Sequence, residues 1–387
     1  MLPIAPRQRW WAWALAGVGA LLVAVVAVSS LLPADLVADR VDERTGTVEP
    51  TPYAQVPAAT EAVADRIVFG DLPDEVGRFD SDGDVLFVTV SAPSQSLLSW
   101  FVGRDDPAID FLTEEDKFGT RTPTQRREFN LQAMRTAEQE AQYVALTAVG
   151  YDADISAGDV IVQEVLCVEA ADDGTCAESY PADEQIDPAD RIIEVDGEAI
   201  GSVEDLSALL AERKPGDTVE LVIERPGEGE LTVDVELSAA PDDPDRTIIG
   251  FVPFDTRTVE LPFEVDIETA QIGGPSAGLA FTLSLIDELT PGELTGGRDV
   301  AVTGTIGLDG TVGPIGSLYQ KANAVHQHGI EHFIVPASQS ELQSEESRRR
   351  LEEAGRGDVE IIPVADLDEA LAALELLGGD PVAPVDG

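Results

Sequence analysis

"IGGPSAGLAF", residues 272–281, places one serine at the point where a turn becomes a helix. Gly273, Gly274 and Pro275 predict the turn, and apolar residues recur at helical spacing after Ser276. A serine at the start of a helix lies among unpaired backbone N–H groups and near the positive end of the helix dipole. Two interpretations follow: Ser276 caps the helix, or it is a nucleophile whose oxyanion those donors stabilise.

A second motif, "GTIGLDGTVGPIGSLYQKANAVHQHGI" (304–330), supplies a candidate base. It predicts a helix that begins near Ser317, with Gln320 completing a capping box, and ends at Gly329. Lys321 would then lie near the helix N-terminus, where a positive charge is unfavourable and the pKa of a lysine is lowered. A neutral amine can take a proton from a hydroxyl, which an arginine cannot do. Only three of the 24 basic residues are lysines, and one of them stands here.

Composition excludes several functions. The chain has 387 residues and a formal net charge of −50, which argues against a nucleic-acid partner because phosphate contacts need clustered basic residues. None of the lysines follows a glycine, so the chain has no phosphate-binding loop for ATP. No H-E-x-x-H metal motif is present, and we expect neither metal nor cofactor; a zinc site at His326, His328 and His332 is the weaker alternative.

The N-terminus predicts a membrane anchor over residues 1–37. Residues 10–32 carry no charge, and 23 residues at about 1.5 Å each span a hydrocarbon core of roughly 30 Å. Arg7 and Arg9 precede this segment while Asp35 and Asp39 follow it, which favours a single-pass cell-membrane protein whose catalytic part is extracytoplasmic. A cleaved signal peptide is the alternative. Residues 38–80, rich in Pro, Ala and acidic residues, are expected to form a linker.

Residues 153–240 resemble a bacterial PDZ domain in the order of their elements. A strand at 158–166 precedes "DPADRIIEVDGEAI" (a strand, an Asp-Gly turn and a short strand), then a helix and a hairpin. PDZ domains bind extended peptides by adding a strand to a sheet edge. The resemblance implies a groove along this strand, with Ala157 and Gly158 offering N–H groups to a terminal carboxylate and Val160 and Val162 following. A purely structural spacer is the alternative.

Cys167 and Cys176 are the two cysteines of the chain, and they lie nine residues apart. On the extracytoplasmic side of a membrane, such a pair predicts a local disulfide. Two reduced thiols are the alternative if the topology is reversed.

The serine and lysine motifs together resemble the proteolytic domain of the Lon family (endopeptidase La) over about 255–375. This resemblance implies an α+β fold of the ribosomal protein S5 domain 2-like type. It also implies that Ser276 is the nucleophile, Lys321 the general base and Thr303 a hydrogen-bond partner of the lysine, with oxyanion donors at Gly274, Ser276 and Ala277. The chain departs from the family at Gly273 and Gln320, where acidic residues are common.

The first part of such a domain is missing from 255–375, and residues 81–152 can supply it. They contain a predicted strand at 83–92 and a long amphipathic helix at 122–150, in which "MRTAEQEAQYVAL" resembles the family helix before the serine. We therefore expect a proteolytic domain split into 81–152 and 241–378 around an inserted PDZ domain, followed by a disordered tail at 379–387.

This arrangement is similar to membrane-anchored, ATP-independent Lon-like proteins with a PDZ insert. It implies a serine endopeptidase that cleaves protein or peptide substrates selected through the PDZ domain and that forms a homo-oligomer. Two alternatives remain. A Ser-His-Asp hydrolase would use His326 or His328, although GGPSAG lacks the G-x-S-x-G pattern. A non-enzymatic anchor would present the PDZ domain beside a degenerate Lon-like domain.

Overall fold

The structure, a computed structural model, describes residues 9–41, 48–74, 76–119, 122–170, 176–240, 243–269 and 271–383. The chain divides into two compact units. One unit comprises Met1–Val56 and Ser91–Gly119, and the other comprises Pro57–Val90 and Thr120–Gly387.

Helices within the described residues carry labels in chain order. They are α1 (Arg9–Leu31), α2 (Leu97–Gly103), α3 (Glu114–Phe118), α4 (Pro123–Val149), α5 (Val203–Ala211), α6 (Gly278–Leu289), α7 (Leu318–Gln327), α8 (Glu345–Ala354) and α9 (Leu367–Leu376).

Strands are labelled in the same way. They are β1 (Asp39–Val41), β2 (Val48–Pro50), β3 (Tyr53–Ala62), β4 (Ile67–Phe69), β5 (Val85–Ser91), β6 (Asp110–Leu112), β7 (Asp154–Val165), β8 (Cys167–Ala170), β9 (Cys176–Ser179), β10 (Arg191–Val195), β11 (Glu198–Ala199), β12 (Thr218–Arg225), β13 (Gly229–Glu236), β14 (Ser238–Ala240), β15 (Asp243–Ile248), β16 (Phe251–Glu260), β17 (Val265–Ile267), β18 (Val300–Val302), β19 (Thr305–Ile306), β20 (Val312–Gly313), β21 (His332–Pro336) and β22 (Glu360–Val364).

In the smaller unit, α1 contains the apolar segment that the sequence marks as a candidate membrane span. Its residues Trp13–Leu31 have a mean hydropathy of 2.4, and none of the segment is buried in the protein. Strands β1 and β2 form an antiparallel pair, and β6 pairs with the first residues of β3. The length and hydropathy of this helix fit either a membrane span or a signal sequence.

Residues 38–80 differ from the expected linker, because they contain β1, β2, β3 and β4. In the larger unit, β3 neighbours β5 in the central sheet, and β4 pairs with β17 next to the serine loop. Most side chains of β3, "YAQVPAATEA", are half-buried instead of alternating between buried and exposed. The strand therefore lacks the two-residue periodicity by which a half-buried strand is recognised from sequence.

One part of the larger unit is a sheet with helices on both faces. Strand β18 pairs in parallel with β5 on one side and with β21 on the other, and β22 follows β21. Val300 and Val302 pack into the cluster that contains α4 and α6 residues, whereas Ala301 packs with α7 and α8. This alternation is the two-residue period of a strand between two apolar layers.

Two helices of this part fix the serine loop. Helix α4 begins at the Thr122 cap and ends at Gly150, whose φ of 98° closes the helix, so the predicted helix at 122–150 is confirmed. Helix α6 is buried along its whole length, which accounts for its apolar residues on every side. Both helices contribute side chains to one cluster, and the loop that carries Ser276 enters α6 directly.

The second part of the larger unit has a sheet in the order β13-β12-β10-β7-β16, with α5 packed against it. The expected PDZ boundary at residue 240 stays a prediction; in the structure β16, which lies beyond it, pairs with β7 from Phe251 to Glu260. Strand β16 joins a sheet whose other strands precede residue 240. That pairing is long-range, so local patterns in the sequence do not reveal it.

The expected disordered tail at 379–387 also differs in part. Asp380 donates its backbone N–H to the carbonyl of Glu293, and its carboxylate accepts the Glu293 N–H at 3.0 Å. Residues 384–387 lie outside the described part of the chain.

Candidate active site

Ser276 lies in the loop between β17 and α6, as the sequence predicts. Gly274 has a φ of 95°, which side-chain-bearing residues rarely adopt. Its N–H donates to the carbonyl of Asn130 in α4 at 2.7 Å. A Cβ at Gly273 would approach the Asn130 Cβ to 2.9 Å. The two glycines therefore let the loop turn sharply while it lies against α4.

Lys321 is the fourth residue of α7 and is 3% exposed. The predicted cap differs, because Ser317 has a left-handed φ of 66° and its side chain makes no capping hydrogen bond. Gly329, with a φ of 74°, follows the end of the helix as predicted. Helix α7 packs on the sheet through Leu318, Ala322 and Val325, so Lys321 is held in the protein interior.

The structure brings Ser276, Lys321 and Thr303 together. The Lys321 Nζ lies 2.7 Å from the Ser276 Oγ and 2.9 Å from the Thr303 Oγ1. The Thr303 hydroxyl donates to the Ser276 carbonyl at 3.0 Å and is fully buried at the end of β18. Thr303 therefore accepts from the lysine, which fixes the direction in which the amine points.

Burial lowers the pKa of the Lys321 amine from 10.5 to about 7. The cause is desolvation, which disfavours the ammonium form. Near neutral pH a large fraction of this amine is uncharged, with a lone pair that can face the Ser276 hydroxyl. The position of Lys321 near a helix N-terminus predicts the same lowering of its pKa through the helix dipole. In the structure the pKa is lowered by burial of the amine.

The expected oxyanion donors divide into two groups. The Gly274 N–H is already bonded to Asn130, so the structure removes it from the expected set. Among the described residues, no acceptor is found for the N–H groups of Ser276 or Ala277, which precede the first turn of α6. Those two groups can bind an oxyanion beside the Ser276 Oγ.

A cavity of 310 Å³ opens onto Ser276 and Lys321. Its wall comes from β5, α4 and the serine loop, with Phe87, Val88, Val90, Met134 and Ile272 as the apolar residues and Thr89 and Gln271 as polar ones beside the reacting pair. Glu61 lies on the same cavity and pairs with Arg66. A larger cavity of 840 Å³ elsewhere along α4 includes neither Ser276 nor Lys321, so the hydrogen bonds and not the size of a cavity identify this site.

The predicted PDZ groove residues do not lie at a free sheet edge. Strand β7 pairs with both β10 and β16 around Val160, and Val160 and Val162 are fully buried. Ala157 pairs with β16, and a Cβ at Gly158 would lie 2.4 Å from the Thr256 Oγ1. The prediction took β7 for an outer strand because the partner strand β16 comes about 90 residues later in the chain.

Strand β16 is the terminal strand of this sheet among the described residues. The Asp255 carboxylate on β16 accepts the N–H of Val203, the first residue of α5, at 2.6 Å. Gly250 precedes β16 with a φ of 91°. Strand β16 and α5 therefore lie next to each other at this edge of the sheet.

The remaining predicted site residues lie apart from Ser276. His326 lies 3.5 Å from Asp358, His332 lies 3.1 Å from Glu360, and the His328 ring contacts the Ala324 carbonyl, so the three histidines have separate partners. Cys167 is disulfide-bonded, and Cys176 is the one other cysteine of the chain. The side chain of Cys176 lies outside the described part, so their pairing stays a prediction.

Comparison with known proteins identifies both domains. Residues 268–376 match the family model of the Lon protease (S16) C-terminal proteolytic domain, and residues 157–237 match that of the PDZ domain. The chain therefore carries a Lon-type proteolytic domain together with a PDZ domain, which confirms the predicted fold class. These matches support a serine endopeptidase.

The relatives are Lon proteases. The chain is 42% identical to Lon protease of Chloroflexus aggregans over 97 residues. This matched stretch covers 25% of this chain and 11% of that protein. Lon protease of Anaeromyxobacter dehalogenans is 29% identical over 161 residues, covering 39% of this chain and 18% of that protein. The chain thus spans less than a fifth of the length of these relatives. A solved PDZ domain of an SdrC-like protein from Listeria monocytogenes is 24% identical, covering 25% of this chain and 88% of that one, with a TM-score of 0.20.

Proposed function

We propose that the chain is a serine endopeptidase in which Ser276 is the nucleophile and Lys321 the general base. The observation that carries this proposal is the 2.7 Å contact between the Ser276 Oγ and a buried amine whose pKa is lowered to about 7. An amine that is half neutral near pH 7 is well matched to proton transfer at that pH. A structural lysine gains nothing from such burial, because its charge is destabilised.

The proposed reaction follows from the positions of these three groups. The Lys321 Nζ lies within hydrogen-bond distance of both the Ser276 Oγ and the Thr303 Oγ1. In the neutral amine one N–H donates to Thr303, and the lone pair accepts the Ser276 proton. The Ser276 Oγ then attacks the peptide carbonyl carbon, and the N–H groups of Ser276 and Ala277 stabilise the negative oxygen. The Lys321 ammonium returns its proton to the leaving amine, and an acyl-enzyme remains. Lys321 next activates the water that hydrolyses this ester.

The cavity beside Ser276 supports an apolar side chain in the substrate residue before the cleaved bond. Phe87, Val90 and Met134 supply its apolar surface. A side chain too large for the cavity would lose contact with this surface. A charged side chain would leave its charge poorly solvated there. We therefore expect cleavage after apolar residues.

The PDZ domain is proposed to hold extended peptide along β16. Two observations support this proposal: no further strand pairs with β16 among the described residues, and α5 lies beside it, so a peptide can pair with the strand and contact the helix. Peptides with a free C-terminal carboxylate should bind the Ser276→Ala chain more tightly than their amides. Hydrogen bonds to charged groups are worth about 1.5–3 kcal/mol, so we expect roughly tenfold or more. Equal affinity for acid and amide would remove the carboxylate from the proposal.

Helix α1 is proposed to anchor the protein in the cell membrane, with the catalytic part outside. Arg7 and Arg9 on one side and Asp35 and Asp39 on the other support this orientation. An alkaline phosphatase fusion after residue 80 should be active, and the chain should stay with membranes after carbonate extraction. A soluble processed product would instead support a signal sequence. Self-association into a homo-oligomer and hydrolysis without ATP complete the proposal.

The test of the catalytic proposal is labelling by a serine-reactive phosphonate probe, combined with peptide hydrolysis. Ser276→Ala and Lys321→Arg should each abolish both signals, while Ser340→Ala and Lys214→Arg should keep them as matched controls. Added ATP should change neither signal. Hydrolysis retained by Lys321→Arg would exclude a neutral lysine base. Loss of all activity in the wild-type chain would favour a non-enzymatic scaffold that presents its PDZ domain.

A further inference from the structure

An exposed apolar surface lies next to the C-terminal end of α1 in the smaller unit. We call it the juxtamembrane patch and define it as Leu32, Leu36, Val37, Phe101 and Val102. Their exposed fractions are 38%, 63%, 48%, 59% and 74%. Contiguous apolar surface of this kind marks an interaction site more often than ordinary protein surface does.

Hydrogen bonds tie the patch to the end of α1. The Leu97 N–H at the start of α2 donates to the Leu32 carbonyl at 2.8 Å, and the Ala34 N–H donates to the Gln95 carbonyl at 3.0 Å. Pro33 and Ser96 form a β-bridge between these two bonds. The short helix α2 is therefore fixed directly against the residue at which the apolar span ends.

The length of the span sets the depth of α2 in a bilayer. Residues Trp13–Leu31 form 19 helical residues, which at about 1.5 Å each cover ~28 Å, close to the hydrocarbon thickness. Leu31 then lies at the hydrocarbon boundary, and α2, one hydrogen bond away, lies at the level of the headgroups. This argument rests on the proposed anchoring by α1.

The composition of α2 fits that level. Its sequence, "LLSWFVG", combines a tryptophan and a phenylalanine with aliphatic residues, and aromatic rings are enriched at membrane–water interfaces. The Arg104 guanidinium lies 4.6 Å from the Phe101 ring centre and 5.6 Å from that of Trp100. An arginine stem can lie along such rings while its charge reaches the phosphate layer.

We infer that α2 is a second membrane contact, which inserts Phe101 and Val102 into the outer interface of the bilayer beside the end of α1. The occupant of the patch is lipid because the patch is continuous with the apolar surface of the span. A surface helix and a spanning helix joined in this way restrict rotation of the smaller unit about the α1 axis.

Trp100 allows a direct test in the full chain. The other three tryptophans are Trp10, Trp11 and Trp13, and changing all three to phenylalanine leaves Trp100 as the single tryptophan, which can be excited selectively over the tyrosines. This variant is reconstituted into phosphatidylcholine vesicles with acyl chains brominated near the headgroup or near the chain end, and into unbrominated vesicles. Insertion to a depth of about 5–10 Å should remove roughly half of the emission with the shallow bromines and less with the deep ones.

Flotation of the same vesicles separates this inference from the anchoring on which it rests. Protein that floats but shows no quenching by bromine would overturn the inference and leave the anchor intact. Protein that fails to float would overturn both. A second copy of the chain that covered the patch would give a different result. Trp100 would show no bromine quenching, and diluting the protein in the vesicles would make Trp100 accessible to iodide. This result would also contradict lipid contact.

Two variants provide the matched comparison. Phe101→Ser with Val102→Ser should lose the bromine quenching of Trp100 while the protein still floats. Leu376→Ser removes an 89% exposed apolar side chain outside the patch and should keep the quenching unchanged. Both variants should hydrolyse a short soluble peptide at the wild-type rate. Equal quenching in the two variants would show that Trp100 reports on something other than insertion of α2.

Discussion

Replacing Lys321 by methionine keeps most of the side-chain length and removes the buried amine. In the wild-type chain Lys321 is 3% exposed, and the side-chain hydrogen-bond partners of its amine are Ser276 and Thr303. The nearby apolar residues of α7 can accept a thioether without a polar partner. The substitution should therefore abolish catalysis and yet stabilise the fold.

The pKa of Lys321 sets the magnitude. A pKa lowered from 10.5 to about 7 on folding destabilises the folded state by about 4 kcal/mol at pH 7, at 1.36 kcal/mol per pKa unit. Loss of the two hydrogen bonds offsets about 1 kcal/mol each. We expect Lys321→Met to raise the free energy of unfolding by about 2 kcal/mol at pH 7.

The same pKa fixes the pH dependence. Between about pH 7 and 10.5 the unfolded lysine binds a proton that the folded one does not, so wild-type stability rises with pH across this window. Lys321→Met lacks that slope, so its advantage of about 2 kcal/mol should vanish near pH 9, and the wild-type chain should be the more stable one towards pH 10.5. Urea unfolding of both chains at several pH values, followed by circular dichroism, measures the difference. A variant that is less stable than wild type at every pH, or an advantage independent of pH, would refute this account of the lysine.

Three further predictions concern the base, the serine loop and the link between the domains. For a neutral peptide, kcat/KM should rise with pH around pH 7, as Lys321 loses its proton. High salt should move this rise to lower pH, because it screens the net charge of −50 that favours the ammonium form. A rise that occurs only above about pH 9 would contradict this prediction. A Cβ added at Gly274 would meet open space, but the backbone φ of this residue is 95°. Strain of about 1–3 kcal/mol in Gly274→Ala should therefore lower kcat roughly tenfold or more. Gly316→Ala is the control, because Gly316 lies in open space without a positive φ, and it should be neutral. Arg257→Met should lower the free energy of unfolding by about 2–3 kcal/mol, because it leaves the half-buried Glu140 carboxylate unpaired. Adding Glu140→Gln should recover most of this loss in urea titrations. No recovery would mean that Arg257 does not stabilise the fold through this ion pair.

The reacting groups could be predicted from sequence because each depends on a local pattern. Ser276 follows two glycines and a proline, and Lys321 stands in a first helical turn of a chain with few lysines. Their separation of 45 residues in sequence becomes 2.7 Å in space because α6 and α7 flank β18, whose end carries Thr303. The resemblance to a known domain, and not the local pattern, predicted that third residue.

The features that sequence reasoning missed depend on long-range pairing. Strand β3 is half-buried along its length, so its pattern resembles a linker. Strand β16 completes a sheet whose other strands end before residue 240, so the peptide groove predicted along β7 does not lie at the edge of the sheet. The Gly274 N–H was assigned to an oxyanion because its acceptor, the carbonyl of Asn130, lies in a helix more than 100 residues earlier.

Helix α4 supports the proposal that a proteolytic domain in two parts, 81–152 and 241–378, surrounds an inserted PDZ domain. Asn130 holds the serine loop through the Gly274 N–H, and the adjacent Phe129 ring packs edge-on against Phe254 of β16 at 5.8 Å. One turn of a single helix thus contacts both the loop that carries the nucleophile and the strand proposed to bind peptide. The chain leaves α4 before β7 and comes back to α4 at β16. Strand β16 then runs directly into the segment that leads to Ser276. The serine loop therefore depends on a helix that precedes the residues matched to the PDZ domain in sequence.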